Sequence, residues 1–172
     1  MNAAPDQDMP IPYMQRTREY YQTLGFGAYR WAHHDDVPFT PLTKPLAQSR
    51  LALITTAAPY QPGVGDQGPG AKYNAAAKFY TVYADSTDSV PDLRISHVGY
   101  DRKHTKAEDP NTWFPLARLH DAVKAGRLGS LTARFYGSPT NRSQRVTVER
   151  DAPELLRHCR EDGADAALIV PT

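Results

Sequence analysis

An amphipathic helix that leads directly into a short apolar strand is the most constraining pattern in this sequence. The helix is predicted to begin at Asp151 to Glu154, which resemble a capping box, and to end at Gly163. Leu155, Leu156 and Cys159 place an apolar stripe along it. The run Ala166 to Val170 follows after a short turn and predicts a buried strand. This order is typical of α/β proteins with parallel sheets.

Other segments continue the alternation of strands and helices. Leu51 to Thr56 is a second apolar run, as expected for a buried parallel strand that ends in two hydroxyls. Helices are predicted at 13–24 and 114–124, and further strands at 78–83, 92–98 and 131–136. The sequence therefore predicts an α/β fold with a mainly parallel sheet and flanking helices, in a Rossmann-like or flavodoxin-like three-layer arrangement.

The amino-terminal part is predicted to differ from the rest. Residues 1–36 are interpreted as a loose amino terminus with one short helix, and residues 37–172 as the α/β domain. Three prolines between Val37 and Pro45 favour an extended strap that leads into this domain.

Charge and hydropathy exclude several classes of partner. The formal net charge of +1 is spread without a basic block, so no nucleic-acid partner is predicted. No apolar run approaches the length of about 18 residues that a membrane span needs. The amino terminus, with Asp6 and Asp8, does not read as a signal peptide. These features predict a cytoplasmic protein with no membrane partner.

Cys159 is the single cysteine of the chain, which excludes an internal disulfide and an internal two-thiol redox centre. Its place on the apolar stripe of the last predicted helix favours a buried, inert thiol.

A glycine-rich loop contains the literal pattern G-x-G-x-x-G at residues 63–68, and Asp85 lies where a ribose-binding acid would be expected. A dinucleotide site needs a helix to open at the third glycine. Pro69 and Gly70 follow instead, so a flexible loop is the favoured interpretation and no cofactor-binding residue is predicted.

Two polar runs raise the question of a metal. His33 to Asp36 form one, and His97, Asp101 and His104 form the other, after a predicted strand. Imidazole and carboxylate together suit Zn²⁺ or Fe²⁺, but neither run has the spacing of a helical His pair or of a structural zinc site. Polar loops are the favoured interpretation, and no metal ligand is predicted.

The run from Ile95 to His104 is the strongest candidate for catalysis. It gathers imidazoles, a phenol, a carboxylate and cations at the carboxyl end of a predicted strand. The cations could bind a substrate carboxylate there, and a titratable side chain could act as the proton donor. We predict catalytic roles for His97, Tyr100, Asp101 and His104, and substrate binding by Thr55, Thr56 and Arg102. Solvated loop chemistry is the alternative interpretation of this run.

Several short motifs, in order and spacing, resemble the selenoprotein B family of glycine/sarcosine/betaine reductase and D-proline reductase. The resemblance covers most of the chain from about Val37 onward. Its motifs are Val37 to Leu42, Lys44 to Leu46, Ala52 to Ala57, Ile95 to His97, Tyr100-Asp101, Asp109, Asn111, Phe114-Pro115, Glu161 to Ala166 and Val170 to Thr172.

The resemblance implies a nucleophile that this chain does not contain. In the family, the strand that corresponds to Ala166 to Val170 is followed immediately by a selenocysteine or cysteine, usually with another cysteine shortly after. The implied reaction is reductive cleavage of a C–N bond in a small amine or amino acid. Pro171 and Thr172 are the last residues here, so the resemblance predicts a chain truncated at its carboxyl end and inactive alone.

The resemblance also implies partners. In the amino-acid reductases a pyruvoyl-containing subunit activates the amine, so a partner reductase subunit is expected here, with the use of a pyruvoyl group left open. The oligomeric state, including a homo-oligomer, is open as well. Residues 29–34 and the glycine-rich loop match nothing assigned to the amino-acid reductases, which leaves the substrate open.

Two other functions stay open. One is a metal-dependent enzyme that uses His97, Asp101 and His104, and the other is a non-catalytic α/β binding domain. The predicted cause of the truncation is a UGA codon for selenocysteine read as a stop, or a cut at that point.

Overall fold

The computed structural model of the chain describes residues 10–65, 67–97, 99–100, 102–103, 107–139 and 143–172. Two compact units are present, Met1–Phe39 and Thr40–Thr172. In the first unit, helix α1 spans Tyr13–Thr23, as the sequence predicts. Aromatic side chains of this unit pack edge to face, as Tyr21 of α1 and Tyr29 do.

The second unit contains the sheet. Its strands are β1 (Arg50–Thr55), β2 (Ala58–Pro59), β3 (Tyr83–Ser86), β4 (Leu93–Arg94), β5 (Ser130–Leu131), β6 (Arg134–Gly137) and β7 (Ala166–Val170). Its helices are α2 (Leu116–Lys124), α3 (Gln144–Val146) and α4 (Ala152–Glu161), with a π-helical segment at Thr147–Asp151 and 3₁₀ turns at Leu46–Gln48 and Pro110–Thr112.

The central strand of the sheet is β1, which pairs in parallel with β5 and β6 on one side and with β7 on the other. Strand β3 adds to β6 in antiparallel orientation, and β2 and β4 form a separate antiparallel pair. The sheet is thus mixed and mostly parallel, which confirms the predicted fold class.

Helices cover both faces of this sheet. On one face, Leu53 of β1 and Phe135 of β6 pack in a core cluster with Leu116 of α2. On the other face, Ala52 and Ile54 pack with Leu155 and Cys159 of α4. Side chains alternate across a strand, so β1 supplies both cores. The three-layer arrangement is confirmed, and so is the buried position of Cys159.

Strand β7 departs from the prediction of a buried strand. Its side chains alternate between half-buried and exposed, and Ile169 is 63% exposed. Leu168 and Val170 pack against the Leu53 core, whereas Ala167 and Ile169 point to the other face. The exposed side chains follow from the position of β7 at the edge of the sheet. An apolar run alone does not tell whether one or both faces of a strand are packed against other elements.

The predicted capping box at Asp151 is also wrong. Asp151 has helical backbone angles and makes no capping hydrogen bond, because the π-helical segment joins α4 to α3 without a break. The helix begins earlier, at Ser143, whose hydroxyl accepts a hydrogen bond from the Val146 N–H. Gly163 ends α4 with a φ of 67°, as predicted.

Two predicted strands shift or shorten. The strand predicted at 78–83 lies at Tyr83–Ser86, and of 92–98 only Leu93–Arg94 form a strand, although Ile95 makes an isolated bridge to Tyr73. Val98 lies outside the described residues. In both segments apolar side chains pack under loops and not along hydrogen-bonded strands. An alternation of apolar and polar residues does not distinguish a packed loop from a strand.

Candidate functional site

The carboxyl ends of three strands meet at one edge of the sheet. In the register of the sheet, Thr55 of β1 pairs with Gly137 of β6 and with Val170 of β7. Ligands of open α/β sheets bind outside this edge. We call the residues that follow these strand ends, Thr56, Ser138 and Thr172, the carboxyl edge.

Thr56 and Thr172 are hydrogen-bonded across the carboxyl edge. The Thr172 N–H donates to Thr56 Oγ1 at 2.8 Å, and the two hydroxyl oxygens lie 3.1 Å apart. Residue 172 is therefore fixed beside the end of β1.

Thr55 is fully buried, unlike Thr56. Its hydroxyl accepts a hydrogen bond from the Ala57 N–H at 3.0 Å, and its carbonyl accepts one from the Ser138 N–H at 2.7 Å. Thr55 thus shapes the turn that brings Thr56 to the carboxyl edge.

Tyr83 supports the same edge from β3, and the sequence reasoning missed it. Its hydroxyl donates to the Ala57 carbonyl at 2.7 Å, and its ring fills the space where Gly137 lacks a side chain. Burial, with the nearby Asp85 charge, raises the pKa of Tyr83, so the phenol stays protonated and donates. An aromatic residue opposite a glycine in an antiparallel strand pair indicates that the ring packs over the glycine. This pattern can be used only once the strand pairing is known.

Replacing Tyr83 by phenylalanine removes this hydrogen bond and keeps the ring. We expect the free energy of unfolding to fall by about 1 kcal/mol, because a buried carbonyl loses its donor. Chemical denaturation measures this change. Tyr80→Phe is the matched control, since Tyr80 is exposed, and it should leave the stability unchanged.

The described residues of the candidate catalytic run follow β4 and lie in turns and irregular segments. His97 is exposed, and its Nδ1 accepts a hydrogen bond from the Gly99 N–H at 3.1 Å, so in the neutral ring the proton lies on Nε2. Tyr100 packs against the core cluster that also receives Val170. The guanidinium of Arg102 lies 4.2 Å from the centre of the Tyr73 ring. Asp101 and His104 lie outside the described residues.

The glycine-rich loop opens no helix in its described residues. It is held instead at Val64, whose carbonyl accepts from Asn74, and at Gly68, whose carbonyl accepts from Arg94 at 2.7 Å. Arg94 is 1% exposed and pairs with Asp92, and its hydrogen bond lowers the pKa of that carboxyl. These hydrogen bonds hold the described residues of the loop against the segments 72–74 and 92–94.

The described residues contain no group of three or more His, Cys, Asp or Glu placed to hold a metal ion. His33 and Asp35 form an exposed pair 3.2 Å apart in the first unit. The metal-dependent alternative needs Asp101 and His104, so it stays a prediction. Burial raises the pKa of Cys159, which keeps that thiol protonated.

The second unit is thus a three-layer α/β domain whose parallel strands end at a hydroxyl-bearing carboxyl edge. Residues 18–172 match the family model described as glycine/sarcosine/betaine reductase selenoprotein B. The chain belongs to this family, which confirms the resemblance found in the sequence.

Three relatives are components of reductase complexes. The chain is 29% identical over 134 residues to D-proline reductase subunit gamma of Acetoanaerobium sticklandii, a match that covers 76% of this chain and 52% of the relative. It is 23% identical to glycine reductase complex component B subunit gamma of Symbiobacterium thermophilum, over 84% of the chain and 33% of the relative. The same subunit of Peptoclostridium acidaminophilum is 23% identical over 90% and 34%.

The chain therefore spans between a third and about half of the length of these relatives. No solved structure matches it. In the part of the chain that the structure describes, no helix is long and apolar enough to cross a membrane.

Proposed function

We propose that this chain is the scaffold of a selenol- or thiol-dependent reductase that cleaves a C–N bond in a small amine or amino acid. The hydrogen bonds between Thr56 and Thr172 carry the proposal, because they hold the backbone of residue 172 at the carboxyl edge. A residue joined to the Thr172 carbonyl would start from this edge. The relatives are named as subunits of reductases, which supports a partner subunit as well.

A selenolate or thiolate joined to Thr172 would attack the carbon that bears the amino group, forming a C–Se or C–S bond as the C–N bond breaks and the amine leaves with a proton. An external dithiol is the proposed reductant: one thiolate attacks the selenium or sulfur, the carbon leaves with the electron pair and takes up a proton, and the second thiol then restores the nucleophile as the dithiol becomes a disulfide. A selenol is expected to be ionised at neutral pH, whereas an ordinary thiol, with a pKa of about 8.5, needs activation by its neighbours. Buried Cys159 cannot serve, since its pKa is raised and it packs between α4 and the sheet.

The other roles fall to residues of this chain. His97, through its exposed imidazole, and Tyr100 are proposed to take part in proton transfer to the departing amine. Asp101 and His104 share this role in the proposal. Arg102 is the proposed partner of a substrate carboxylate, since its guanidinium is exposed above Tyr73. Thr56 positions the nucleophile, and Thr55 shapes the turn before it.

The codon after that of Thr172 tests the proposal directly. We expect UGA, or a cysteine codon, followed by a frame that encodes a nearby cysteine and a further helix. UAA or UAG at this position would contradict the proposal, and so would UGA with no such frame after it.

Thr56 offers a second test, in the product of the gene read through that codon. Thr56→Val removes the hydroxyl that holds residue 172, and we expect kcat to fall by at least about tenfold with little change in KM, since small misplacements of reacting groups are costly. Thr56→Ser should keep most of the activity. Thr81→Val, which changes an exposed threonine in the same unit, is the matched control. Equal losses in the valine and serine variants would contradict the positioning role.

A further inference from the structure

A cavity of the second unit lies at the opposite end of the sheet from the carboxyl edge. It has a volume of about 430 Å³, and its walls include Arg50, which begins β1, Ser130, which begins β5, and His120 of α2. We call it the amino-end cavity. Thr56 follows the other end of β1, and six strand residues span about 20 Å. The amino-end cavity is thus separate from the site of the proposed reaction.

A second cavity, of about 190 Å³, adjoins the first. Its walls are mainly apolar and include Leu93, Trp113, Phe114 and Leu116. We call it the apolar cavity. An engineered apolar cavity of about 150 Å³ is large enough to bind benzene, so this one accepts a branched aliphatic group.

Thr87, Asp88 and His120 line both cavities and so mark the boundary between them. The His120 Nε2 lies 2.8 Å from the Thr87 carbonyl oxygen, which only accepts hydrogen bonds, so Nε2 carries the proton. In the neutral ring, Nδ1 is left as an acceptor. Asp88 adds a carboxylate that forms no ion pair with any described residue. The boundary therefore favours a ligand group that donates hydrogen bonds and carries positive charge.

Arg50 supplies the opposite charge, and it lines the amino-end cavity only. Its Nη1 donates to the Asp162 carbonyl at 3.1 Å and its Nε lies 3.4 Å from Ser130 Oγ, whereas Nη2 makes no hydrogen bond to a described residue. The Asp162 carboxylate, also in this wall, is already paired with Arg134 at 2.7 Å. Arg50 thus offers a donor to an anionic group.

These groups follow one another in a fixed order, with a cation in the amino-end cavity, acceptors at the boundary and an apolar volume beyond it. We propose that the two cavities form one binding site for a free amino acid with a branched aliphatic side chain. The ligand carboxylate pairs with Arg50, its ammonium lies between Asp88 and His120 Nδ1, and its side chain fills the apolar cavity. The Arg50 end of this site lies a strand length, about 20 Å, from the carboxyl edge, so the site is suited to regulation rather than to reaction.

Trp113 in the wall of the apolar cavity provides the signal for a binding test. The chain has two tryptophans, so Trp31→Phe leaves Trp113 as the sole indole. In this background we expect L-leucine to change the fluorescence with one saturable phase. Isoamylamine, which lacks the carboxylate, and 4-methylpentanoate, which lacks the ammonium, should each bind at least about tenfold more weakly. Glycine, which has no side chain, should produce no saturable change.

Two variants assign the charges. Arg50→Gln should weaken the binding of L-leucine at least about tenfold and leave isoamylamine unaffected, whereas Asp88→Asn should weaken both. Arg127→Gln and Asp121→Asn are matched controls, because both residues are exposed and line neither cavity. Thermal unfolding of each variant verifies that it is folded.

Three outcomes would overturn the proposal. These are no saturable signal with L-leucine, equal affinity for L-leucine and isoamylamine, or unchanged affinity in folded Arg50→Gln protein. Because the binding test needs no turnover, its failure leaves the proposed reductase function untouched.

Discussion

Replacing Gly137 by alanine is expected to lower the free energy of unfolding by about 3 kcal/mol, at the upper end of the cost of overpacking a core. A Cβ at this position would overlap the ring of Tyr83. The ring cannot simply move away, because its hydroxyl is bonded to the Ala57 carbonyl and its edge meets Phe135. Denaturation with urea or guanidinium measures the loss.

A second substitution tests the cause of this loss. In a Tyr83→Ala background the added methyl group meets no ring, so Gly137→Ala should then cost less than about 1 kcal/mol, and the difference is the coupling between the two residues. Gly27→Ala is the control for glycine replacement, since a Cβ there contacts nothing. An undiminished cost without the ring would mean that backbone strain, and not the overlap, destabilises the variant.

Replacing Asp162 by alanine is expected to cost about 2 kcal/mol, the usual value for buried hydrogen bonds to a charged group. Its carboxylate accepts two hydrogen bonds from Arg134, at 2.7 and 3.0 Å, and a third from the hydroxyl of Tyr136. Tyr136 is fully buried, so its hydroxyl would keep only the longer bond to the His158 carbonyl. Arg134 is partly exposed and contributes less, because solvent screens its charge.

The same carboxylate makes stability depend on pH. Hydrogen bonds from Arg134, and then from Tyr136, hold the pKa of Asp162 below its ordinary value of about 3.9. A depressed pKa in the folded state stabilises the protein above the unfolded pKa, and this contribution is lost as the pH falls through the folded pKa. Stability should therefore fall below about pH 4, and it should fall less steeply in Asp162→Asn protein.

Asp121→Asn is the control for the pH series, because the one ion pair of Asp121 with a described residue is its exposed pair with Arg118. It should reproduce the slope of the unchanged protein. The slope in Asp162→Asn protein should not vanish, since the pKa values of Asp92 and Asp165 are also lowered by hydrogen bonds. An identical acid slope in the Asp162→Asn and Asp121→Asn proteins would show that Asp162 contributes nothing to it.

The sequence predicted the parts of the fold that local patterns determine. The apolar runs in β1 and β7 and the glycine that ends α4 were sufficient for the parallel sheet and its final unit. The burial of β7 was predicted wrongly, because the exposure of its side chains depends on which strands and helices lie beside it. Asp151 was predicted as a cap because its local pattern is correct, but Ser143 begins the helix earlier and the π-helical segment continues it.

Within the candidate site, the residues that follow the strand ends could be predicted from the sequence. The side chains that hold those strand ends in place could not. Thr56 lies at the carboxyl edge because a parallel strand must deliver its last residues there. Tyr83 and Gly137 could not be paired from the sequence, since their contact depends on an antiparallel register between segments more than fifty positions apart. The paired cavities depend in the same way on α2 meeting the loop at Thr87.

The long sequence separation between β1 and its neighbour β7 has a consequence for synthesis of the chain. The backbone N–H of Arg50 donates a hydrogen bond to the carboxylate of Asp165, which lies 115 positions later. Strand β1 therefore leaves the ribosome long before its partner strand β7. At about 5–20 residues per second, that interval is about 6–23 s. Until β5 and β6 are made, both edges of β1 are unpaired, and one edge stays unpaired until β7 follows. The apolar run Leu51 to Ile54 is therefore exposed to aggregation during this interval, which is the situation in which chaperones protect nascent chains.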